Sequence, residues 1–336
     1  MNPQIVLSGI RATGKLHMGN YLGAIQHFVK LANDPTKKCL YFIANLHTLT
    51  TWTPPEDLKN HLAGIVQDFL ACGIDPQKAV IYAQSSVPEI SELNWLLACL
   101  TNIEELKGMA HFKDKEKQMK ERGEMVSAGL LIYPVLMAAD ILGPRANLVP
   151  VGQDQHPHVE FARDIARRFN RTYDKLFPIP ELLEGPGIRV PGLGASGKMG
   201  KSESENNVLN LDDSSDAVNA KFKIAVTDEK RQFRKDPGDP SKCNIFILHQ
   251  MLSEPGELSW AQNGCQTAGI GCLECKMVVA AHVNKIIEPI RQKRSEICGL
   301  GASYVLDILA DGGKKARQRF SETVQIVKDK MGVPSY

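Results

Sequence analysis

The sequence predicts an α/β protein in which a doubly wound parallel sheet is followed by a smaller helical domain. Three observations carry that expectation. Through the first half of the chain, short apolar runs alternate with longer segments whose apolar residues recur at helical spacing. A Pro/Gly-rich stretch, "GPGIRVPGLGASGKMGKSESENN", then interrupts the pattern, and beyond it the periodicity is helical only. Strands that alternate with helices imply right-handed crossovers and a parallel, Rossmann-like sheet, whose ligand belongs at the carboxyl ends of the strands.

The strands are expected at "IVLSGI" (5–10), "CLYFIANL" (39–46), "AVIYAQS" (79–85) and "NLVPVG" (147–152). Between them "NYLGAIQHFVKLA", "PEDLKNHLAGIVQDFLACG" and "EISELNWLLACL" read as helices, with Pro, Asp and Glu near their starts. From about Leu211 onward the patterns are helical, including "VVAAHVNKIIEPIRQKR" and "KARQRFSETVQIVKDKM", with no internal repeat. The expected organisation is a sheet domain over 1–190, a loop and hinge over 191–210, a helical domain over 211–300, and a final helix over 301–336 that packs back on the first domain.

A chain of 336 residues is long enough for two domains with cores of their own. Its formal charge of +2 does not announce a nucleic-acid partner, so any basic residues that meet one must be grouped locally. No apolar run approaches the roughly 18 to 20 residues that span a bilayer, and "MNPQIVLSGI" has no secretion signal, so a cytoplasmic address with no membrane contact is expected. Eight cysteines in a reducing compartment do not suggest a disulfide framework. Cys39, Cys72, Cys99 and Cys298 lie in apolar sequence and are expected in the core. Cys243, Cys265, Cys272 and Cys275 instead form C-x21-C-x6-C-x2-C in a polar, Gly-rich region. Four thiolates hold tetrahedral zinc or a [4Fe–4S] cluster, and spacing does not choose between them.

The loop after the first strand, "SGIRATGKLHMGN", stands where a phosphate-binding element belongs. Gly9 to Lys15 match a P-loop except that Leu16 replaces the hydroxyl, and Gly192 to Lys198 fail in the same way at Met199. What remains is Thr13-Gly14 and then His17-Met18-Gly19-Asn20. Gly19 permits close backbone approach to a nucleotide, a helix N-terminus offers N–H groups to phosphate, and His17 can donate as charge develops. By itself "HMGN" is equally compatible with a histidine that caps or packs beside a turn.

Paired with the downstream "KMGKS" (198–202), the HMGN loop resembles the class I aminoacyl-tRNA synthetases. The resemblance implies that both loops close over magnesium-bound ATP, with His17, Lys198, Lys201 and Ser202 catalytic as a carboxylate attacks the α-phosphorus. It also implies nucleotide contacts from Arg11, Ala12, Thr13, Gly19, Asn20, Gly152, Gln153, Asp154, Val190, Met199 and Gly200. Two departures stand out. Gly200 replaces the serine of the usual KMSKS, which removes a hydroxyl, and Ala12 replaces proline, which makes the approach to the ATP loop less rigid.

"SAGLLIYPVLMAADIL", "VPVGQDQ", "RDIARRFNRTYDKLFPIPE" and "IANLHTLT" are similar to segments of the bacterial tryptophanyl-tRNA synthetases, and cover most of residues 4–210 in order. There is a physical argument beside this. Met137 and Asp140 are three apart on a helix and share a face, so a carboxylate stands beside a soft apolar side chain. Indole offers a flat apolar surface and one N–H donor, and an amino acid lacking that donor is expected to leave the charge unpaired. The resemblance puts Asp140 on the indole nitrogen, His47 in the pocket wall, and Tyr133 and Gln155 on the α-amino group.

It further implies a homodimer, tRNA(Trp) spanning both subunits, an anticodon-binding role for 211–300, and, for the four-cysteine subset, a [4Fe–4S] cluster in the anticodon-facing region. Basic stretches "KFK", "DEKRQFRKD" and "KIIEPIRQKR" are candidates for RNA backbone contact. Three rivals remain. A tyrosyl enzyme typically has glutamine where Met137 stands. An adenylyltransferase with an H-x-G-H loop does not explain KMGKS, and an iron–sulfur redox protein lacks a flavin or nicotinamide fingerprint.

Overall fold

The computed structural model describes residues 3–185, 187–194, 197, 199–200 and 204–333. Five strands form one sheet in the order β3-β2-β1-β4-β5: β1 (Gln4–Arg11), β2 (Lys37–Ala44), β3 (Ala79–Ala83), β4 (Leu148–Val151) and β5 (Glu181–Glu184). Every pairing is parallel. Successive side chains of β1 go to opposite faces, Val6 into one apolar layer and Ile5 and Leu7 into the other.

The crossovers are helical. After β1 come α1 (Met18–Asn20), a π-turn (Tyr21–Ile25) and α2 (Gln26–Ala32); after β2 come α3 (Asn45–Thr48) and α4 (Pro55–Ala71). Four helices lead from β3 to β4: α5 (Glu89–Ala98), α6 (Ile103–Gly108), α7 (Ala110–Glu121) and α8 (Ala128–Leu142). α9 (His156–Tyr173) leads from β4 to β5. Phe28 of α2 and Phe69 of α4 belong to one buried layer, Leu93 of α5, Ala139 of α8 and Phe169 of α9 to the other, so the sheet is covered on both faces as the alternation predicts. The expected start signals act in α4, which Pro55 opens with Glu56 and Asp57 in its first turn; in α8, Ser127 Oγ caps the helix by accepting from the Leu130 N–H at 3.2 Å.

Two details depart from the sequence reading. β5 is an additional strand of four residues with glutamate at both ends, too short and too polar to show alternation, and it exists by pairing with β4. Cys39 is buried as expected and Cys72 half-buried, but Cys99 and Cys298 are exposed. Both stand at helix ends, where their apolar neighbours in sequence face inward from other sides of the helix.

The remaining helices are α10 (Ser215–Ile224), α11 (Asn244–Leu252), α12 (Pro255–Gln266), α13 (Cys272–Gly299) and α14 (Ala302–Met331). The apolar layer on the α2/α4 face continues into Val218, Phe222, Val279 and Ile287, so sheet and helical parts share buried surface. Across that junction Arg294 Nε of α13 meets Asp68 Oδ1 of α4 at 2.7 Å. α14 returns to the sheet and packs on α5 and on β3, a strand at the sheet edge. The approach is so close that a Cβ on Gly312 would lie 1.9 Å from the Ile81 carbonyl oxygen, a position that only glycine can occupy. No helix among the described residues is long and apolar enough to cross a membrane.

Candidate active site

A doubly wound sheet offers a ligand crevice where its strand order reverses. The chain leaves β1 for β2 on one side and resumes at β4 on the other, so the reversal lies between β1 and β4. A cavity of about 460 Å³ opens there, walled by the carboxyl ends of both strands and by His47, Tyr133, Met137 and Asp140. Ser8 Oγ donates to the Pro150 carbonyl at 2.8 Å and ties the two strands at the cavity floor. This bond also uses the acceptor of a residue that lacks an N–H. A Cβ on Gly9 would lie 2.6 Å from the Phe42 ring, so glycine lets that ring form the wall.

Asp140 is fully buried at the inner end. His47 Nε2 is 2.9 Å from Oδ2, and Gln84 Nε2 is 2.9 Å from both carboxylate oxygens. Gln84 is itself oriented by its Oε1, which accepts the N–H groups of Leu46 and His47 at 3.1 and 3.2 Å. Burial pushes the Asp140 carboxyl above the usual carboxylate range, and the bonds from His47 and Gln84 hold it back. This revises one expectation. The carboxylate has partners of its own, so a ligand without an N–H does not leave its charge unpaired. The selectivity it gives rests on the lone pair and the shape that remain.

Higher in the cavity the Tyr133 hydroxyl lies 2.9 Å from His111 Nδ1 and 2.9 Å from His158 Nε2. Burial lowers the pKa of His158 to about 4, with His111 and His47 adding to it, and burial also lowers that of His111. Gln155 donates to Asp154 Oδ2 at 2.9 Å, and both line the cavity.

Towards the HMGN loop the same cavity reaches Arg11, Thr13 and Asn20. Arg11 Nη2 donates to the His47 carbonyl at 3.4 Å. His17 caps α1, its N–H donating to Asn20 Oδ1 at 3.2 Å, and its ring is buried. A Cβ on Gly19 would come within 2.9 Å of the His17 ring and 3.6 Å of the Met199 carbonyl, so glycine is what lets the HMGN loop hold its histidine while lying beside Met199. Backbone bonds from the Met18 N–H to the Leu209 carbonyl and from the Leu211 N–H to the Leu16 carbonyl fasten the HMGN loop to residues 209–211.

The model for "tRNA synthetases class I (W and Y)" matches residues 1–288. The chain belongs to this synthetase family. Tryptophan–tRNA ligases of Deinococcus radiodurans and Thermotoga maritima are each 39% identical, over 97% and 98% of this chain and 98% and 99% of theirs. The fold is similar to tryptophanyl-tRNA synthetase of Campylobacter jejuni complexed with ADP and tryptophan, with 34% identity, a TM-score of 0.84, and coverage of 98% of this chain and 100% of that one. The Mycoplasma pneumoniae enzyme is similar at 30% identity and TM-score 0.81, covering 99% of each.

Against that family background the expected site residues divide clearly. His47, Tyr133, Met137, Asp140 and Gln155 meet in one cavity with Arg11, Thr13, Asn20 and Asp154. Ala12 is buried, and Val190 and Met199 are buried and joined by the Met199 N–H to Val190 carbonyl bond at 2.9 Å. His17, Gly19, Gly152, Gln153 and Gly200 are not part of the cavity wall. Lys198, Lys201 and Ser202 lie outside the described residues. Gln84, His111 and His158 are functional candidates the sequence reading did not name. Gln84 follows a buried strand at its carboxyl end, which is the one signal that points to it.

The four cysteines come together from three helices. Cys243 caps α11, Cys265 lies in α12, and Cys272 and Cys275 begin α13; all are free thiols. Burial pushes Cys275 up to about 12, and the neighbouring Cys243, Cys265 and Cys272 add to it. Cys243 and Cys265 are raised in the same way. His249 Nε2 stands 3.2 Å from Cys275 Sγ and Arg231 Nη1 3.9 Å from Cys265 Sγ. The donor set suits a thiophilic metal in kind. As placed, however, no three His, Cys, Asp or Glu side chains among the described residues are arranged to hold a metal ion.

Proposed function

We propose that the cavity between β1 and β4 is where this tryptophan–tRNA ligase binds tryptophan and ATP. The reaction has two steps: the tryptophan carboxylate attacks the α-phosphate of ATP to give tryptophanyl-adenylate and pyrophosphate, and a terminal hydroxyl of tRNA(Trp) then takes the acyl group. In this reading indole lies against Met137 with its N–H towards Asp140, and the α-amino group meets Tyr133 and Gln155. ATP, carrying magnesium as part of the substrate, extends along Arg11 and Thr13 to Asn20, with Gly152, Gln153 and Asp154 beside the nucleotide. His17, Lys198, Lys201 and Ser202 stabilise charge on the phosphates as it develops, so the chemistry is mainly positioning and electrostatics.

One observation carries this reading: a fully buried, pre-oriented Asp140 in the same cavity as Thr13 and Asn20. ATP–pyrophosphate exchange tests it. Tryptophan should support exchange and tyrosine should not; exchange with tyrosine alone would assign the cavity to the other branch of the family.

Three further parts belong to the same proposal. The catalytic part is 1–190 with its hinge at 191–210, the helices of 211–300 bind the anticodon, and 301–336 returns to the first part. The enzyme works in the cytoplasm as a homodimer, with tRNA across both subunits. Cys243, Cys265, Cys272 and Cys275 hold a [4Fe–4S] cluster, zinc being the alternative, as an accessory to tRNA binding rather than to adenylate chemistry; the closeness of four thiols supports this. Iron and sulfide assays on anaerobically purified protein test it, and stoichiometric zinc would overturn the cluster.

A further inference from the structure

The Tyr133 hydroxyl is held between two imidazoles that come from different helices, His111 from α7 and His158 from α9. The three rings meet edge to face, with centroids 5.6 Å apart for His111 and Tyr133, 5.1 Å for Tyr133 and His158, and 5.9 Å for the two histidines. A phenol has one proton to donate. Where one neutral imidazole turns its bare nitrogen and the other its N–H towards the phenol, the hydroxyl donates to the first and accepts from the second. Whichever of the two histidines is then the acceptor, the donor is used within the protein. The oxygen has only a lone pair to offer the cavity.

We propose that His111 and His158, one presenting a bare nitrogen and the other an N–H, are positioning residues that make Tyr133 an acceptor only, so that the cavity takes the ammonium end of a zwitterionic amino acid there and turns the carboxylate away. The inference rests on reading the cavity as the tryptophan site, and deepens it. A carboxylate brought to Tyr133 would face lone pair against lone pair, whereas an ammonium N–H completes the hydroxyl's bonding. The carboxylate is left to point towards Arg11 and Thr13, at the end of the cavity assigned to the phosphates.

The device favours an ammonium ligand while His111 carries no charge. His158 is deeply buried. His111 stands at the exposed rim and is the first of the two to meet a proton. It is faced by Lys115 of its own helix and by Arg11 from β1, which favour the neutral form, and by Asp114 and Asp154, which oppose them. His158 is faced by His111, His47 and Asp154. Protonated His111 sets a cation against the incoming ammonium. KM for tryptophan should therefore rise as pH falls through the lowered pKa of His111, while KM for ATP should not follow it.

Steady-state exchange on the full chain between about pH 5.5 and 8 tests this, with wild type, His111→Leu and His111→Gln, and with tryptamine and indole-3-propionate as competitive inhibitors. His111→Leu should weaken tryptophan and tryptamine by about tenfold, mainly in KM and Ki rather than kcat, and leave indole-3-propionate within about twofold. His111→Gln retains a donor and an acceptor but cannot titrate; it should recover most of the affinity and lose the acid rise in KM. Equal weakening of both inhibitors by His111→Leu, or an acid rise that persists in His111→Gln, would overturn the proposal while leaving the tryptophan site intact. A wild type with no tryptophan-dependent exchange would instead overturn the site reading on which it stands.

Discussion

The cavity and the four-cysteine region solve opposite problems with buried polar groups. In the cavity the chain supplies the partners: Asp140 is bonded by His47 and Gln84, and Tyr133 by two histidines. In the cysteine region the donors crowd one another: burial raises Cys275, and the neighbouring Cys243, Cys265 and Cys272 add to it. The first arrangement is finished before a ligand arrives. In the second, burial holds Cys243, Cys265 and Cys275 towards the protonated thiol, and a thiophilic metal binding there would have to displace those protons. Pre-organisation favours selective chemistry, whereas crowding of this kind favours capture.

The largest expected effect comes from undoing the finished side. Asp140→Asn keeps the size of the side chain but sets an amide N–H₂ against donors from Gln84 and the indole, and should lower kcat/KM for tryptophan by about 100-fold or more in pyrophosphate exchange. A variant within threefold of wild type would mean that the Asp140 network is structural only.

Next comes acid stability. Because the pKa of His158 is lowered from its ordinary 6.5 to about 4 in the folded protein, the unfolded chain binds more protons between those values. Its contribution is thus present above pH 6.5 and is lost as pH falls to about 4, by at most about 3 kcal/mol. Urea unfolding of wild type should show this slope. In His158→Gln it should flatten, and an unchanged slope would remove His158 as its source.

On the unfinished side, Cys275→Ser should abolish stoichiometric metal and lower the melting temperature by about 4 °C, with tryptophan-dependent exchange within about threefold of wild type. If exchange collapses along with the metal, the two regions are not separable. Gly19→Ala is the mildest test. Its Cβ displaces the His17 ring, and KM for ATP should rise about threefold with the melting temperature nearly unchanged.

What could be read from the sequence follows the same division. β1 to β4 were legible because buried parallel strands are continuous apolar runs, and the shared face of Met137 and Asp140 because residues three apart on a helix lie together, whereas HMGN was singled out only by its resemblance, paired with KMGKS, to a synthetase loop. Gln84, His111 and His158 were not. Each acquires its role from a partner on another element, and no local spacing encodes a bond from residue 133 to residues 111 and 158. β5 escaped for a related reason: the pairing that makes ELLE a strand is supplied by β4, not by the segment itself. Cys99 and Cys298 misled because apolar neighbours along the chain are not neighbours in space at the end of a helix.

α14 carries a consequence for how the sheet edge is protected. It lies against β3, an edge strand more than 200 positions earlier in the sequence, through an approach that only Gly312 permits. A chain that stops short of α14 leaves the backbone of β3 open, and an open strand edge invites pairing with other chains. The helix thereby doubles as a guard: cutting it away would turn the β3 edge from a packed surface into a site of self-association.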